Sequence, residues 1–267
     1  CTLLLLISSI FHLYLKPEAL LAMRSLSSEK DVIRRKVWTL MEEKGIARFP
    51  RPVFGRIPNF VDAEKAALRL IEQEEYQRAR VIKVNPDAPQ HSVRFQVLSD
   101  KKTLLMPTPR MGKGFMVLDP YKIPSRLHVS ASTIRGSFKY GRQCHLGELP
   151  KVDLIVVGSV AVSKEGIRIG KGGGYSEIEY AVLREMGAVG EETPIFTTVH
   201  DIQIVNEVPW EPHDLMVDLI VTPTRTIRLK TQHERPKGIF WGKITAQQLQ
   251  DIPILSELKR RDNVALS

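Results

Sequence analysis

From Arg168 to Tyr175 the chain reads Arg-Ile-Gly-Lys-Gly-Gly-Gly-Tyr, placing two cations and four glycines in eight residues. Glycine has no Cβ and adopts positive φ at little cost, so successive backbone N–H groups in such a run can approach an anion closely. A short apolar strand, Leu154 to Val157, and a turn at Lys164-Glu165-Gly166 precede the run, and a helical pattern follows at once. Ser176 and Glu179 have capping-box spacing, which predicts a helix starting at Ser176 with its positive end toward the loop. With Arg168 and Lys171 adding side-chain charge, the segment predicts a phosphate cradle built on the Gly170, Gly172, Gly173 and Gly174 backbone. No Gly-Lys-Ser/Thr closes it as in a Walker loop, and the spacing is not that of the dinucleotide Gly-x-Gly-x-x-Gly. A glycine-rich strand-to-helix turn is as often a structural connection as a ligand site, and the flanking cations tilt the reading toward an anion.

Three other groupings carry chemistry-bearing residues. Lys30 and Arg34 stand at i, i+4 near the start of a helical pattern, so they share one face; they either reach one polyphosphate together or form a pair of solvated surface charges. His200-Asp201 and His213-Asp214 are adjacent pairs, and neighbours on a strand point to opposite faces, which favours structural hydrogen bonding over a dyad. Neither histidine has a second one at helical spacing, which argues against zinc. Basic runs at Arg34-Arg35-Lys36, Arg225 to Lys237 and Lys259-Arg260-Arg261 lack an interleaved aromatic platform, so they read as solvated faces and nucleic-acid binding is the third-ranked function.

The cradle and its surroundings resemble the 5-formyltetrahydrofolate cyclo-ligase (5,10-methenyltetrahydrofolate synthetase) family. The family's Asp-initiated strand and Arg-Leu-Gly-x-Gly-x-Gly-Tyr-Tyr-Asp signature is met by Asp153, Arg168-Ile169-Gly170, Gly172, Gly174 and Tyr175. Lys30 to Arg34 is similar to its early Lys-x-x-Leu-Arg block, Lys101 to Arg110 to its proline-ended strand, and Val208-Pro209, His213-Asp214, Val217-Asp218 and Thr222 to its closing pattern. Phe49-Pro50-Arg51-Pro52, Arg56 to Phe60, Pro107 to Arg110 and Val199-His200-Asp201 resemble the divergent paralogue branch described as methenyltetrahydrofolate synthetase domain-containing. Animal members of that branch add an RNA-recognition module, and no aromatic block of that kind occurs in these 267 residues.

The resemblance implies one α/β domain, NagB/RpiA/CoA-transferase-like, with a mostly parallel central sheet flanked by helices. It implies ATP and Mg²⁺ as cofactors, and phosphorylation of the formyl oxygen of 5-formyltetrahydrofolate, attack by N10 and loss of phosphate as the methenyl ring closes. Lys30, Arg34, Arg168 and Lys171 are then the phosphate contacts, with Arg168 and Tyr175 at the reacting groups and Glu177 holding the metal through a hard oxygen. Two departures bear on the substrate. The family's Tyr-Tyr-Asp is Tyr175-Ser176-Glu177 here, and its folate-contacting glutamate after Val81–Val84 is replaced by Asn85-Pro86-Asp87, where Asp87 either substitutes or belongs to a turn. These departures support the rival reading, a paralogue that keeps nucleotide or phosphate binding and acts elsewhere, for which thiamine metabolism has been suggested.

The elements that must position these residues follow from periodicity. Helical spacing of Val32, Ile33, Val37, Leu40 and Met41 predicts a helix over Glu29–Lys44 stopped by Gly45, and Asp62–Tyr76 predicts a second, with Glu177–Met186 and Ala246–Leu258 later. Strands are predicted at Ala79–Val84, Lys102–Met106, Gly114–Leu118, Val152–Gly158, Pro194–His200 and Val217–Thr222, with Thr226–Leu229 as an edge. Ser92–Leu98 alternates like a strand, but the resemblance places a helix there and the helix is preferred. Pro120–Pro150 reads as a long connector able to close over a site. Strands alternating with helices argue for a parallel sheet.

Apolar content of 43%, charge of 26% and two cysteines describe a globular chain of a reducing compartment without a disulfide framework, and a net charge of +9 favours anionic partners. Small-molecule partners and a soluble intracellular setting, cytoplasm or the matrix of a plastid or other organelle, are expected. The first residue is Cys1, so residues 1–28 read as a leader or truncated targeting region ahead of a domain over 29–267; its apolar run, Thr2–Leu15, is shorter than the roughly 20 residues of a membrane span.

Overall fold

The computed structural model describes residues 17–230 and 233–265, so the whole apolar run Thr2–Leu15 and the start of the predicted leader lie outside the described residues. Helix α1 runs Pro17–Glu43 and is followed by Gly45 at φ 64°. Val37, Trp38 and Met41 on it are buried, whereas Val32, predicted to face inward, is 55% exposed. The buried stripe instead continues backward through Arg34 to Lys30, at spacings of three and four, and Lys30 is only 6% exposed. One helical face thus passes from apolar core to cationic side chains.

Strands β1 (Ala47–Arg48) and β2 (Asn59–Phe60) form a small antiparallel pair. The predicted helix Asp62–Tyr76 divides into α2 (Ala63–Ile71) and α3 (Glu74–Arg78), because Gln73 is extended and the chain turns so that buried Tyr76 donates to Asp100 at 2.7 Å. Then come β3 (Val81–Val84), α4 (His91–Ser99), β4 (Thr103–Pro107) and β5 (Phe115–Leu118). The residues from 92 to 98 are therefore helical, as preferred. The predicted connector Pro120–Pro150 is instead structured: it contains α5 (His128–Ala131), α6 (Ile134–Tyr140) and β6 (Arg142–Cys144), which pairs with β5 at the sheet edge.

The second half comprises β7 (Leu154–Val157), β8 (Ala161–Ser163), β9 (Arg168–Ile169), α7 (Tyr175–Glu185), β10 (Ile195–Thr198), β11 (Ile204–Val205), β12 (Leu219–Val221), β13 (Thr226–Arg228), α8 (Ala246–Asp251) and α9 (Pro253–Ala265). Eight strands form one sheet in the order β13-β12-β10-β7-β3-β4-β5-β6. The five central strands, β12 to β4 in that order, are mutually parallel, and antiparallel strands close both sides. β7 is buried at every position, as a strand covered on both faces must be. Leu154 and Val156 face the cluster under α2 and α4, while Ile155 and Val157 face the one under α7 and α9. A third cluster packs α1 against β1, β2 and the small sheet β11-β8-β9. The chain is thus one α/β domain with a large, mostly parallel central sheet flanked by helices. None of the described helices is long and apolar enough to cross a membrane.

Candidate functional site

Beyond β7 the chain makes the β8–β9 hairpin, and β9 delivers Arg168 directly into the glycine run. Glycine is needed at 170 for close approach and at 172 for its positive φ. A Cβ on Gly170 would stand 2.6 Å from an Arg168 terminal nitrogen, and Gly172, at φ 101°, has the Arg34 guanidinium 3.7 Å from the corresponding position. Two arginines thus lie against the loop at alternate glycines. Arg34 Nε donates to the Gly170 carbonyl at 2.8 Å and Gln248 Nε2 to the Gly173 carbonyl at 2.9 Å. With those carbonyls held, the N–H groups of Lys171, Gly172, Gly173 and Gly174 have no protein acceptor among the described residues. That is the electrostatics of an anion nest.

Helix α7 begins at Tyr175, one residue before the expected start, and its N-cap is Gly174 at φ 65°. The predicted capping box is absent: Ser176 Oγ accepts from Asn85 Nδ2 at 3.0 Å, and Glu179 is buried against Lys83 at 2.6 Å. Glycine in the left-handed conformation turns the chain without a side-chain cap, so Ser176 and Glu179 are available for packing.

The loop opens on a cleft of about 580 Å³, within the usual range for small-molecule sites. Lys30, Arg34, Arg168 and Lys243 line it, and so do four carboxylates: Asp31, Glu177, Glu211 and Asp214. Each cation is already engaged. Lys30 Nζ donates to both Asp214 oxygens at 2.7 and 2.9 Å and to Glu211 Oε2 at 2.9 Å; Lys243 Nζ takes Glu211 Oε1 at 2.8 Å. Arg34 bonds Asp31 at 2.5 Å, and Arg168 Nη1 bonds Glu177 Oε1 at 2.6 Å. Arg168 is 2% exposed, and its Nε has no partner among the described residues. An unsatisfied donor on a buried guanidinium is costly unless a ligand or water takes it.

Titration follows these contacts. Burial works to raise the Glu211 carboxyl, but hydrogen bonds from Lys243 and Lys30 prevail and hold it at about 2. Burial pushes Asp214 upward against the pull of Lys30, and pushes the neighbouring His213 imidazole downward. A carboxyl with a folded value below its ordinary 4.5 stabilises the fold above that value and loses the contribution as pH falls through the folded one. The stability difference between the wild type and Glu211→Gln is therefore expected to be full above pH 4.5 and to shrink toward pH 2, read from urea midpoints across that range.

Of the sequence candidates, Lys30, Arg34, Arg168, Gly170, Gly172, Gly173, Gly174 and Glu177 come together around the cleft. Lys171 is not among the lining residues; its ammonium lies 3.2 Å from Asp87, which thereby acquires a partner on the turn that Arg94 clamps through the Asn85 and Asp87 carbonyls. Tyr175 is not a lining residue either. Its ring lies over Gly173 and packs against the core under α7. His200 caps a 3-10 turn and Asp201 pairs with Arg225 at 3.0 Å, whereas Asp214 faces the cleft. Glu211, His213 and Asp214 present ligand atoms within 4.8 Å of one another, but Lys30 occupies two of the three. Glu177, with one oxygen engaged by Arg168 and its side chain 18% exposed, is a better fit to a hard cation beside a bound phosphate. The sequence reading missed Asp31, Glu211, Lys243, Phe240 and Gln248; Thr245 and Gln248, at capping-box spacing beyond the cradle, were the available signal for the last.

The basic runs are largely paired at the surface. Arg225 binds Asp201, Arg228 binds Glu75 at 2.5 Å, Arg235 binds Asp218 and Arg261 binds Glu257 at 2.5 Å.

The model of the 5-formyltetrahydrofolate cyclo-ligase family matches residues 26–223. The protein from Bos taurus called methenyltetrahydrofolate synthase domain-containing protein is 45% identical over 240 residues, 88% of this chain and 63% of its own length; its Homo sapiens counterpart is 42% identical over 246 residues, 91% of this chain and 64% of its own. The chain thus spans somewhat less than two thirds of these relatives. A 5-formyltetrahydrofolate cyclo-ligase of Mycolicibacterium smegmatis is 30% identical over 77 residues, 29% of this chain and 37% of its own. Among solved structures, the Aquifex aeolicus 5,10-methenyltetrahydrofolate synthetase aligns at a TM-score of 0.49 and 20% identity, covering 77% of this chain and 95% of that one.

Proposed function

The chain belongs to the 5-formyltetrahydrofolate cyclo-ligase family, and from that premise we propose that its cleft binds the phosphates of ATP with Mg²⁺ and that the domain converts 5-formyltetrahydrofolate to 5,10-methenyltetrahydrofolate. The observation that carries the reading is the buried Arg168 guanidinium, which lines the cleft beside four loop N–H groups that have no protein acceptor among the described residues. Phosphoryl transfer asks a protein chiefly to position the reactants and neutralise the charge that develops on the transferring group. Arg168 and the N–H groups of Gly172 to Gly174 would hold the terminal phosphate. Lys30 and Arg34, fixed on one face of α1, would meet the remaining charge. The formyl oxygen attacks the phosphorus and ADP leaves; N10 then attacks the formyl carbon, losing its proton as phosphate departs and the ring closes. Mg²⁺, held with Glu177, would supply further neutralisation of the phosphates.

The internal ion pairs fit this role. Glu177 on Arg168 occupies a cation in the manner of a phosphate oxygen, so an arriving polyphosphate exchanges one anion for another instead of entering a site of unscreened charge.

A second reading has its own observation. Where a folate-side contact is expected, Lys83, Asn85, Ser176 and Glu179 satisfy one another in a buried network, and Tyr175 faces the core. That arrangement supports a paralogue that retains nucleotide or phosphate binding and acts on another metabolite, with thiamine metabolism as one setting. Absorbance of methenyltetrahydrofolate separates the two. Product forming from 5-formyltetrahydrofolate only with ATP and Mg²⁺, and lost in Arg168→Ala, is expected on the first reading. No product at high protein concentration, with ATP binding that Arg168→Ala abolishes, gives the second.

A further inference from the structure

Eight of the residues that line the cleft come from positions 236 to 248, beyond the stretch 26–223 that the family model matches. This segment is built into the site. A Cβ on Gly238 would fall 2.3 Å from Glu185 Oε1, and the same oxygen accepts from the Ile239 N–H at 3.1 Å, so the segment docks closely on the end of α7. Phe240 lines the cleft while remaining 39% exposed, with its ring centroid 6.2 Å from that of His213. Lys243 brings a fourth cation to the cleft through Glu211. Gln248 acts in two directions: its Oε1 accepts from the Thr245 N–H at 2.9 Å, completing the α8 capping box, and its Nε2 holds the Gly173 carbonyl.

We propose that residues 236–248 form the wall that selects the ligand's non-phosphate part: Phe240 takes the face of a planar heteroaromatic ring whose phosphate chain runs to the glycine loop, and Gln248 is a positioning residue for that loop. The chemistry follows from what the wall presents. A half-exposed phenyl in a cleft that also contains Ile239 and Ile244 offers stacking and apolar contact to a flat ring. The ligand class is therefore a ring joined to a di- or triphosphate, chosen for its flat face and its charge together. Gln248, through its bond to the Gly173 carbonyl, fixes the conformation of the loop.

The inference rests on the reading of the cleft as a nucleotide site, and the test distinguishes the two. Calorimetric affinities of the full chain for Mg-ATP and for inorganic triphosphate are compared in the wild type, Phe240→Ala, Phe240→Trp, Gln248→Ala and Arg168→Ala, each checked for a cooperative melt. Phe240→Ala is expected to weaken ATP about tenfold and triphosphate by less than about twofold, the size of a lost ring–ring stack. Phe240→Trp restores ATP, and Gln248→Ala weakens both probes alike. Equal affinities for both probes in wild type and Phe240→Ala, or an unchanged ATP affinity in Phe240→Ala, overturns the wall. Indifference of both probes to Arg168→Ala overturns the cradle itself.

Discussion

Lys83→Met is expected to lower folding stability by about 3–5 kcal/mol at neutral pH, whereas Lys83→Met combined with Glu179→Leu is expected to fall within about 1 kcal/mol of the wild type or above it. Lys83 is the middle of β3. Strand alternation sends Ile82 and Val84 into the cluster under α2 and α4, so the intervening side chain must enter the opposite face, beneath α7. It is 1% exposed there, with Nζ 2.6 Å from Glu179 and 2.8 Å from the Asn85 amide oxygen. Burial raises the Glu179 carboxyl, and the Lys83 charge is the chief opposing influence. Removing the lysine alone leaves the Glu179 carboxyl buried without its counter-charge, so folding must put a proton on it. Removing both charges relieves two desolvation costs, against which stands the one bond that the Asn85 amide oxygen accepted from Lys83; Asn85 keeps its bond to Ser176. The sign of the pH dependence follows. In Lys83→Met the native state holds a proton on Glu179 that the unfolded chain releases above its ordinary 4.5, so the deficit grows as pH rises and is smaller near pH 5 than near pH 8. Urea midpoints of both variants at the two pH values measure it; a single variant as stable as the wild type at pH 8 would sink the argument.

Lys83 also shows what sequence patterning can and cannot reach. A lone lysine in Val-Ile-Lys-Val reads as the solvent face of a half-buried strand, and only the parallel topology, with helices on both faces, turns it inward. The central strands were legible because short runs rich in apolar and β-branched residues lie next to Gly or Pro. The cradle was legible because glycine and arginine at that spacing have few alternative uses. Ser176 and Glu179 misled for a physical reason: a capping box and a left-handed glycine cap both start a helix, and the Gly174 conformation is set by the loop packing rather than by local spacing. Pairing across the cleft is a long-range matter. Lys30 meets Asp214 across 184 positions, and Gln248 meets Gly173 across 75, so neither partner announces itself locally. The stripe Lys30–Arg34–Val37–Met41 was visible as helical spacing, but which end faced core and which faced a cleft depended on where the β8–β9 hairpin lands against α1.

Arg168→Ala is expected to weaken ATP binding by about 100-fold or more, and Arg168→Lys to recover little of it. Two charge-assisted hydrogen bonds from one guanidinium are each worth about 1.5–3 kcal/mol, and 2.7 kcal/mol is about 100-fold in affinity. A lysine presents one compact charge and cannot reproduce a planar fork whose Nη1 bonds Glu177 while its other donors lie in the same rigid plane. The glycines make the same case without altering charge. Gly170→Ala would place a carbon 2.6 Å from the Arg168 terminal nitrogen, so the guanidinium must swing out of its slot, and a loss of about 10-fold or more is expected with every cation still present. Glu177 sets the opposite limit. In Glu177→Gln the amide no longer competes as an anion for Arg168, so inorganic triphosphate without metal is expected to bind several-fold more tightly than to the wild type. The gain conferred by added Mg²⁺ should shrink in the same variant, because an amide oxygen is a poorer ligand than a carboxylate for a hard cation. Titration calorimetry with and without Mg²⁺ separates the two effects. Tighter metal-free binding together with an undiminished Mg²⁺ gain would place the cation on the phosphates alone and leave Glu177 only its contact with Arg168.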